Sequence, residues 1–158
     1  MLRRSLKLLH ILGAVGLAGG LGAYMLVLDA GPAPDAVSEY AALRRSLAML
    51  SKWLILPSLV AVILSGILSM AVHHPFQNKG WVWAKLLSGL LIFESTLATV
   101  DGPARRAVEI AERARLGEID AATMVTLIND RWGAWWVLLT IFMLNVVLGI
   151  WRPRFSRR

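Results

Sequence analysis

Four long apolar runs, separated by segments that hold nearly all the charge and most of the proline, set the pattern of this chain. They are Leu8 to Leu28, Trp53 to Val72, Trp81 to Val100 and Trp132 to Trp151. A helix rises about 1.5 Å per residue and a bilayer's hydrocarbon core is about 30 Å thick, so about 20 mainly apolar residues cross it. Each run has that length, and inside lipid a helix satisfies its backbone N–H and C=O groups internally. The pattern predicts an all-α fold: an integral membrane four-helix bundle, one domain over residues 1–158.

The segments between the runs also read as helical. Ser38 to Lys52 predicts a helix that continues into the second span, and a second extramembrane helical stretch covers 103–131. Asp101-Gly102-Pro103 reads as a turn in which Pro103 starts the next helix. Arg105, Glu109 and Arg113 follow at a spacing of four, which favours ion pairing on a solvated face. Gly117 is placed to end that helix, and Asp120 to cap another that leads to the last span. Every tryptophan lies within about a turn of a span end, as in an interfacial belt.

Composition agrees with lipid as the solvent. Hydrophobic residues make up 57% of the 158 positions, with 13 glycines and 7 tryptophans, and the mean hydropathy is +0.61. The net charge of +7 does not point to nucleic acid, because the basic residues sit at chain ends and in loops beside apolar runs. That is a topology signal. With no cysteine, disulfides, thiolate metal sites and cysteine nucleophiles are excluded. Arg3, Arg4 and Lys7 precede the first span as in a signal peptide, but a cleaved signal has an apolar core of only about 7 to 15 residues; the span reads as retained. Short basic segments at both termini and between the second and third spans predict an inner (cytoplasmic) membrane location with both termini cytoplasmic.

Ionisable groups at membrane depth cost roughly 2.5 to 3.5 kcal/mol on insertion scales, which makes each a functional candidate. Here they are His10, Lys85 and Glu94, joined by the neutral polar groups Asn145, Ser65, Ser69, Ser88, Thr96 and Thr140. Helical rise places His10 and Lys85 roughly 3 to 6 Å inside the same boundary, with Asn145 at about 9 Å and Ser65 and Ser69 at about 4 to 11 Å. One polar layer thus draws on all four spans. On the first helix His10, Gly13, Gly16 and Gly20 share a side. That strip suits close helix packing through small residues, the first reading of the glycines taken alone; a flat macrocycle ligated by the imidazole would also need such a trough. Glu94 lies about 20 Å along its helix from Trp81 and points away from Lys85; it is a candidate for proton relay or for a structural hydrogen bond. Met70 with His73 and His74 suggests copper, which accepts thioether and imidazole. No phosphate-binding glycine loop, HExxH or nucleophile elbow is present.

Several short motifs fall in a familiar order. Lys7-Leu8-Leu9-His10 opens the first span, Gly80-Trp81-Val82-Trp83-Ala84-Lys85-Leu86 opens the third, Asn129-Asp130 precedes the last, and Arg152-Pro153 follows it. With Pro57 and Gly66 in the second span, they resemble the HemJ-type protoporphyrinogen IX oxidases over nearly the whole chain. Related small membrane families, among them an uncharacterised bacterial one and the copper-resistance D type, share the opening histidine and the glycine-rich first helix. The resemblance implies haem b held by His10 as axial ligand, with Lys85 as a functional partner nearby. The chain departs from the family where Met25 to Asp29 replaces an Arg and a His, and where Glu94 stands in place of a histidine.

The expectation is therefore a membrane haem b redox protein. Lys85 and Glu94 are its candidate catalytic groups, His10, Gly13, Gly16, Gly20, Lys85 and Asn145 would hold the cofactor, and His10 would ligate the metal. Its partners would be the lipid bilayer and a tetrapyrrole or quinone-type small molecule. Two alternatives stand beside it: a non-catalytic accessory or scaffold protein, and copper or ion transport along His10, Met70, His73 and Glu94. The sequence leaves open whether the bundle works alone or as a homo-oligomer.

Overall fold

The structure, a computed structural model, describes residues 2–72, 79–128 and 132–151. Among these are seven α-helices: α1 (Leu2–Asp29), α2 (Val37–Leu50), α3 (Leu56–Val72), α4 (Gly80–Thr96), α5 (Gly102–Arg115), α6 (Ala121–Leu127) and α7 (Trp132–Trp151). Four helices are long and apolar enough to cross a membrane: α1, the stretches Val37–Val72 and Gly80–Arg115, and the one that ends with α7. α1 packs along α3, α4 along α7, and α3 meets α4, which joins the two pairs. Outside it, α2 packs on α5.

The second and third spanning stretches are each 36 residues long. At about 1.5 Å per residue each is about 54 Å, well beyond a hydrocarbon core of about 30 Å. The surplus is the α2–α5 pair, where Tyr40 and Ala41 of α2 bury against Ala111 and Ala114 of α5, with Met124 of α6 beneath. Alanines at 104, 107, 111 and 114 are all buried, and their small side chains let the two helices approach closely.

The helix through Ser38 to Lys52 continues into the second span as the sequence suggested, and the third stretch does not break where a turn was expected. Asp101-Gly102-Pro103 lies inside a continuous helix, and the reason is a widened turn. π-helical turns occupy Leu97–Asp101 and Ser51–Ile55, and each ends two residues before a proline. A proline lacks an N–H and its ring collides with the carbonyl four residues back. In both places the residue before the proline donates instead five residues back, Gly102 N–H to Leu97 O and Leu56 N–H to Ser51 O. The helix thus passes Pro103 and Pro57 without ending. The two widened turns lie side by side, and Ser51 Oγ donates to Asp101 Oδ1 across them at 3.1 Å. Asp101 is also paired with Arg105 at 2.6 Å.

Gly117 ends α5 with φ of 77°. Glu118 N–H reaches Arg113 O and Gly117 N–H reaches Ala114 O, the pairing of a left-handed helix stop. Asp120 caps α6 by accepting from Thr123 N–H at 3.3 Å. The spacing of Arg105, Glu109 and Arg113 misleads: Arg105 pairs with Asp101, Arg113 with Glu118, and Glu112 takes Arg115 and Arg45. Trp135 also departs from the interfacial belt, buried against Tyr24 with ring centroids 5.0 Å apart, whereas Trp53, Trp136 and Trp151 are exposed. The bundle core comprises Leu21, Tyr24, Ile55, Leu59, Val100, Trp135 and Leu138.

Candidate functional site

A cavity of about 480 Å³ opens among the four spans, where α1 and α4 begin and α3 and α7 end. Small-molecule sites typically measure roughly 300 to 1,000 Å³. Its wall is mainly apolar, with Arg3, Lys7, His10, Ser69, Lys85 and Asn145 as polar members beside Met70 and Gly66.

His10 is half-buried and held by α3. Its Nδ1 lies 3.0 Å from Val62 O and 3.0 Å from Ser65 Oγ. A backbone carbonyl only accepts, so Nδ1 carries the proton. Ser65 Oγ in turn donates to Ala61 O at 2.5 Å, which leaves its lone pairs to receive from His10. The consequence is chemical: Nε2 holds the ring's free lone pair. This is how metal-binding histidines are oriented, with the second nitrogen fixed by a carbonyl or carboxylate.

Lys85 and Asn145 form a reciprocal clamp between α4 and α7. Lys85 Nζ donates to Asn145 O at 3.0 Å, and Asn145 Nδ2 donates to Lys85 O at 3.0 Å and to Ser88 Oγ at 2.7 Å. Gly149 makes room for the lysine head, while Gly89 lies in ordinary contact distance of the amide. A Cβ at Gly149, four residues after Asn145, would lie 2.5 Å from Lys85 Nζ; one at Gly89, four after Lys85, would lie 3.9 Å from Asn145 Nδ2. Gly66 faces the imidazole, where a Cβ would stand in ordinary contact, 3.7 Å from His10 Cε1.

The model of the family described as Predicted integral membrane protein (DUF2269) matches residues 4–153. The chain belongs to that family. No curated protein and no solved structure matches it.

In this DUF2269 chain three of the expected cofactor residues serve another purpose. Gly13, Gly16 and Gly20 do not line the cavity; they press on α3 and the turn before it. A Cβ at Gly13 would lie 2.9 Å from Ser58 O, and one at Gly20 2.9 Å from Ile55 Cγ1, while one at Gly16 would collide with Ser58 Oγ. The strip of missing side chains is thus filled by a neighbouring helix, the packing use of small residues. Glu94 does not join the site either, being exposed on the outer face of α4. His73, His74, Asn129, Asp130, Arg152 and Pro153 lie outside the described residues. Among the described residues no three His, Asp or Glu side chains gather to hold a metal ion.

Sequence reasoning missed Ala14, Gly89 and Gly149 on the cavity wall. The signal was present: Arg3, Lys7, His10, Ala14 and Leu17 recur at three and four residues on α1, and Lys85 and Asn145 are each followed four residues on by glycine.

Proposed function

We propose that this chain is a membrane haem b-binding redox protein of HemJ-like type, in which His10 is the axial ligand. The observation that carries this reading is His10 on the cavity wall with Nδ1 3.0 Å from both Val62 O and Ser65 Oγ, contacts that in the neutral ring leave the lone pair on Nε2. The donor set fits the group: imidazole is a usual axial ligand, and Met70 lines the same cavity with a thioether. Gly66 keeps the space beside the ring free of a side chain.

Haem b, when bound, supplies a reversible one-electron couple. The protein's own groups orient and insulate. α3 fixes the plane of His10, and the apolar wall excludes water. Lys85, held by Asn145 O, brings a cation to the same cavity, where it favours an anionic donor or product. Electrons would come from protoporphyrinogen IX or another membrane-soluble tetrapyrrole or quinone-type donor and pass to an acceptor. The short basic terminal segments support a cytoplasmic-membrane location with both termini cytoplasmic.

The test is a visible spectrum of protein purified from haem-replete cells. A Soret band is expected, and it is lost in His10→Ala while the helical content stays. Wild-type protein without the band overturns the reading. One observation favours a scaffold instead: the Lys85–Asn145 clamp satisfies its polar groups within the bundle. On that reading, replacing His10 and Lys85 together lowers the stability of the bundle and removes no redox activity.

A further inference from the structure

The face of α1 that lines the cavity is graded. From the helix start it presents Arg3 and Lys7, then His10, then Ala14 and Leu17. By helical rise Arg3 lies about 10 Å and Lys7 about 4.5 Å before His10 along the axis. Arg3, Lys7 and Lys85 all line the cavity, and among the described residues no Asp or Glu does. Lys85 Nζ is engaged by Asn145 O. Arg3 and Lys7, by contrast, are exposed and take part in none of the ion pairs among the described residues. A cavity with a cationic mouth, an imidazole below it and an apolar floor matches one chemical class.

We infer that Arg3 and Lys7 form an acid-binding rim, so that the cavity takes an anionic amphiphile with its acid groups at the mouth and its apolar body beside His10. The inference deepens the haem reading and rests on it for the ligand's identity: on a tetrapyrrole the acid groups are carboxylate side chains. Arg3 offers a planar fork that suits a carboxylate in bidentate fashion, and Lys7 a point charge one turn nearer the iron ligand. A phospholipid phosphate presents the same chemistry to the rim.

The experiment uses metal-free protoporphyrin IX and its dimethyl ester, titrated by fluorescence into the full chain in phosphatidylcholine nanodiscs. The wild type is expected to bind the diacid at least about tenfold more tightly than the diester, the equivalent of one charge-assisted hydrogen bond. That ratio falls to about one in Arg3→Gln/Lys7→Gln. It persists in Arg4→Gln, which removes a charge from the same end but does not line the cavity. Equal affinities in the wild type, or a diacid preference that survives the double substitution, overturns the inference. A second arm adds phosphatidylglycerol to the discs. Weaker porphyrin binding there, in the wild type but not in the double variant, assigns the rim to a lipid phosphate; unchanged binding assigns it to the tetrapyrrole's carboxylates, and both support an acid rim. Because the probe carries no iron, a missing Soret band ends the haem reading while leaving this measurement intact, and the ester comparison can fail while the band remains.

Discussion

Where α3 and α4 run out of the bundle into α2 and α5, Leu21, Tyr24, Ile55, Val100, Trp135 and Leu138 form one buried cluster, whereas at the opposite end the same four spans stand apart around a cavity of about 480 Å³. Both ends contain polar bonds between helices, but they work differently. At the packed end Ser51 and Asp101 meet directly across two widened turns. At the hollow end His10, Lys85 and Asn145 each reach a backbone carbonyl of the neighbouring helix. A long side chain spanning to a carbonyl holds two helices at a set separation, so the polar layer there keeps a wall in place.

The largest expected effect separates these two roles. Leu138 is fully buried, and Leu138→Ala should cost about 2 to 3 kcal/mol, the low end of core truncations because apolar lipid removes part of the transfer contribution. Val146 lines the cavity, where truncation only enlarges an existing space, so Val146→Ala should cost less than about 1 kcal/mol. Thermal unfolding of both variants in nanodiscs checks this. Equal losses would mean that the two ends are packed alike.

A smaller effect sharpens the account of the hollow end. Asn145→Leu removes the two donations to Lys85 O and Ser88 Oγ, at about 0.6 kcal/mol each for bonds between membrane helices. The stability loss of about 1 kcal/mol should come with weaker porphyrin binding, because the wall between α4 and α7 loosens. Unchanged binding at reduced stability would show that the clamp serves register alone.

Much of this architecture was legible in the residues. Four apolar runs of bilayer length define the spans, and helical rise put His10, Lys85 and Asn145 at one depth, where they share the cavity wall. Periodicity gives depth well because rise per residue is nearly constant. It gives facing less well, because which neighbour a helix side meets depends on packing. Hence the strip Gly13, Gly16, Gly20 lies against α3 although it shares a helix with the cavity-lining Ala14. Glu94 stands on the outer face for a related reason: nine residues from Lys85, it points the other way, and no neighbouring helix covers it. The uninterrupted helix through Pro103 was hidden because a widened turn absorbs the missing N–H without leaving a mark in composition.

The smallest effect lies at the packed end, outside the membrane, and pH reaches it. Glu112 of α5 is bonded by Arg115 at 2.7 Å on its own helix and by Arg45 of α2 at 2.5 Å. The Arg115 hydrogen bond, with help from the Arg45 charge, holds its carboxyl below the ordinary value of 4.5. A carboxyl whose folded value is depressed contributes stability that is complete above its unfolded value and disappears as pH falls through the folded one. The α2–α5 pair should therefore be insensitive to Glu112 titration from neutral pH down to about 4.5 and loosen below it. Both arginines are exposed to water, so the charges are screened and the loss is slight. Hydrogen exchange, corrected for intrinsic rate, should show α2 and α5 amides losing protection between pH 5 and 3; in Glu112→Gln that dependence should vanish, with protection low throughout. Acid tightening of α2 on α5, or a loss of the same size in the glutamine variant, would remove Glu112 as the link between them.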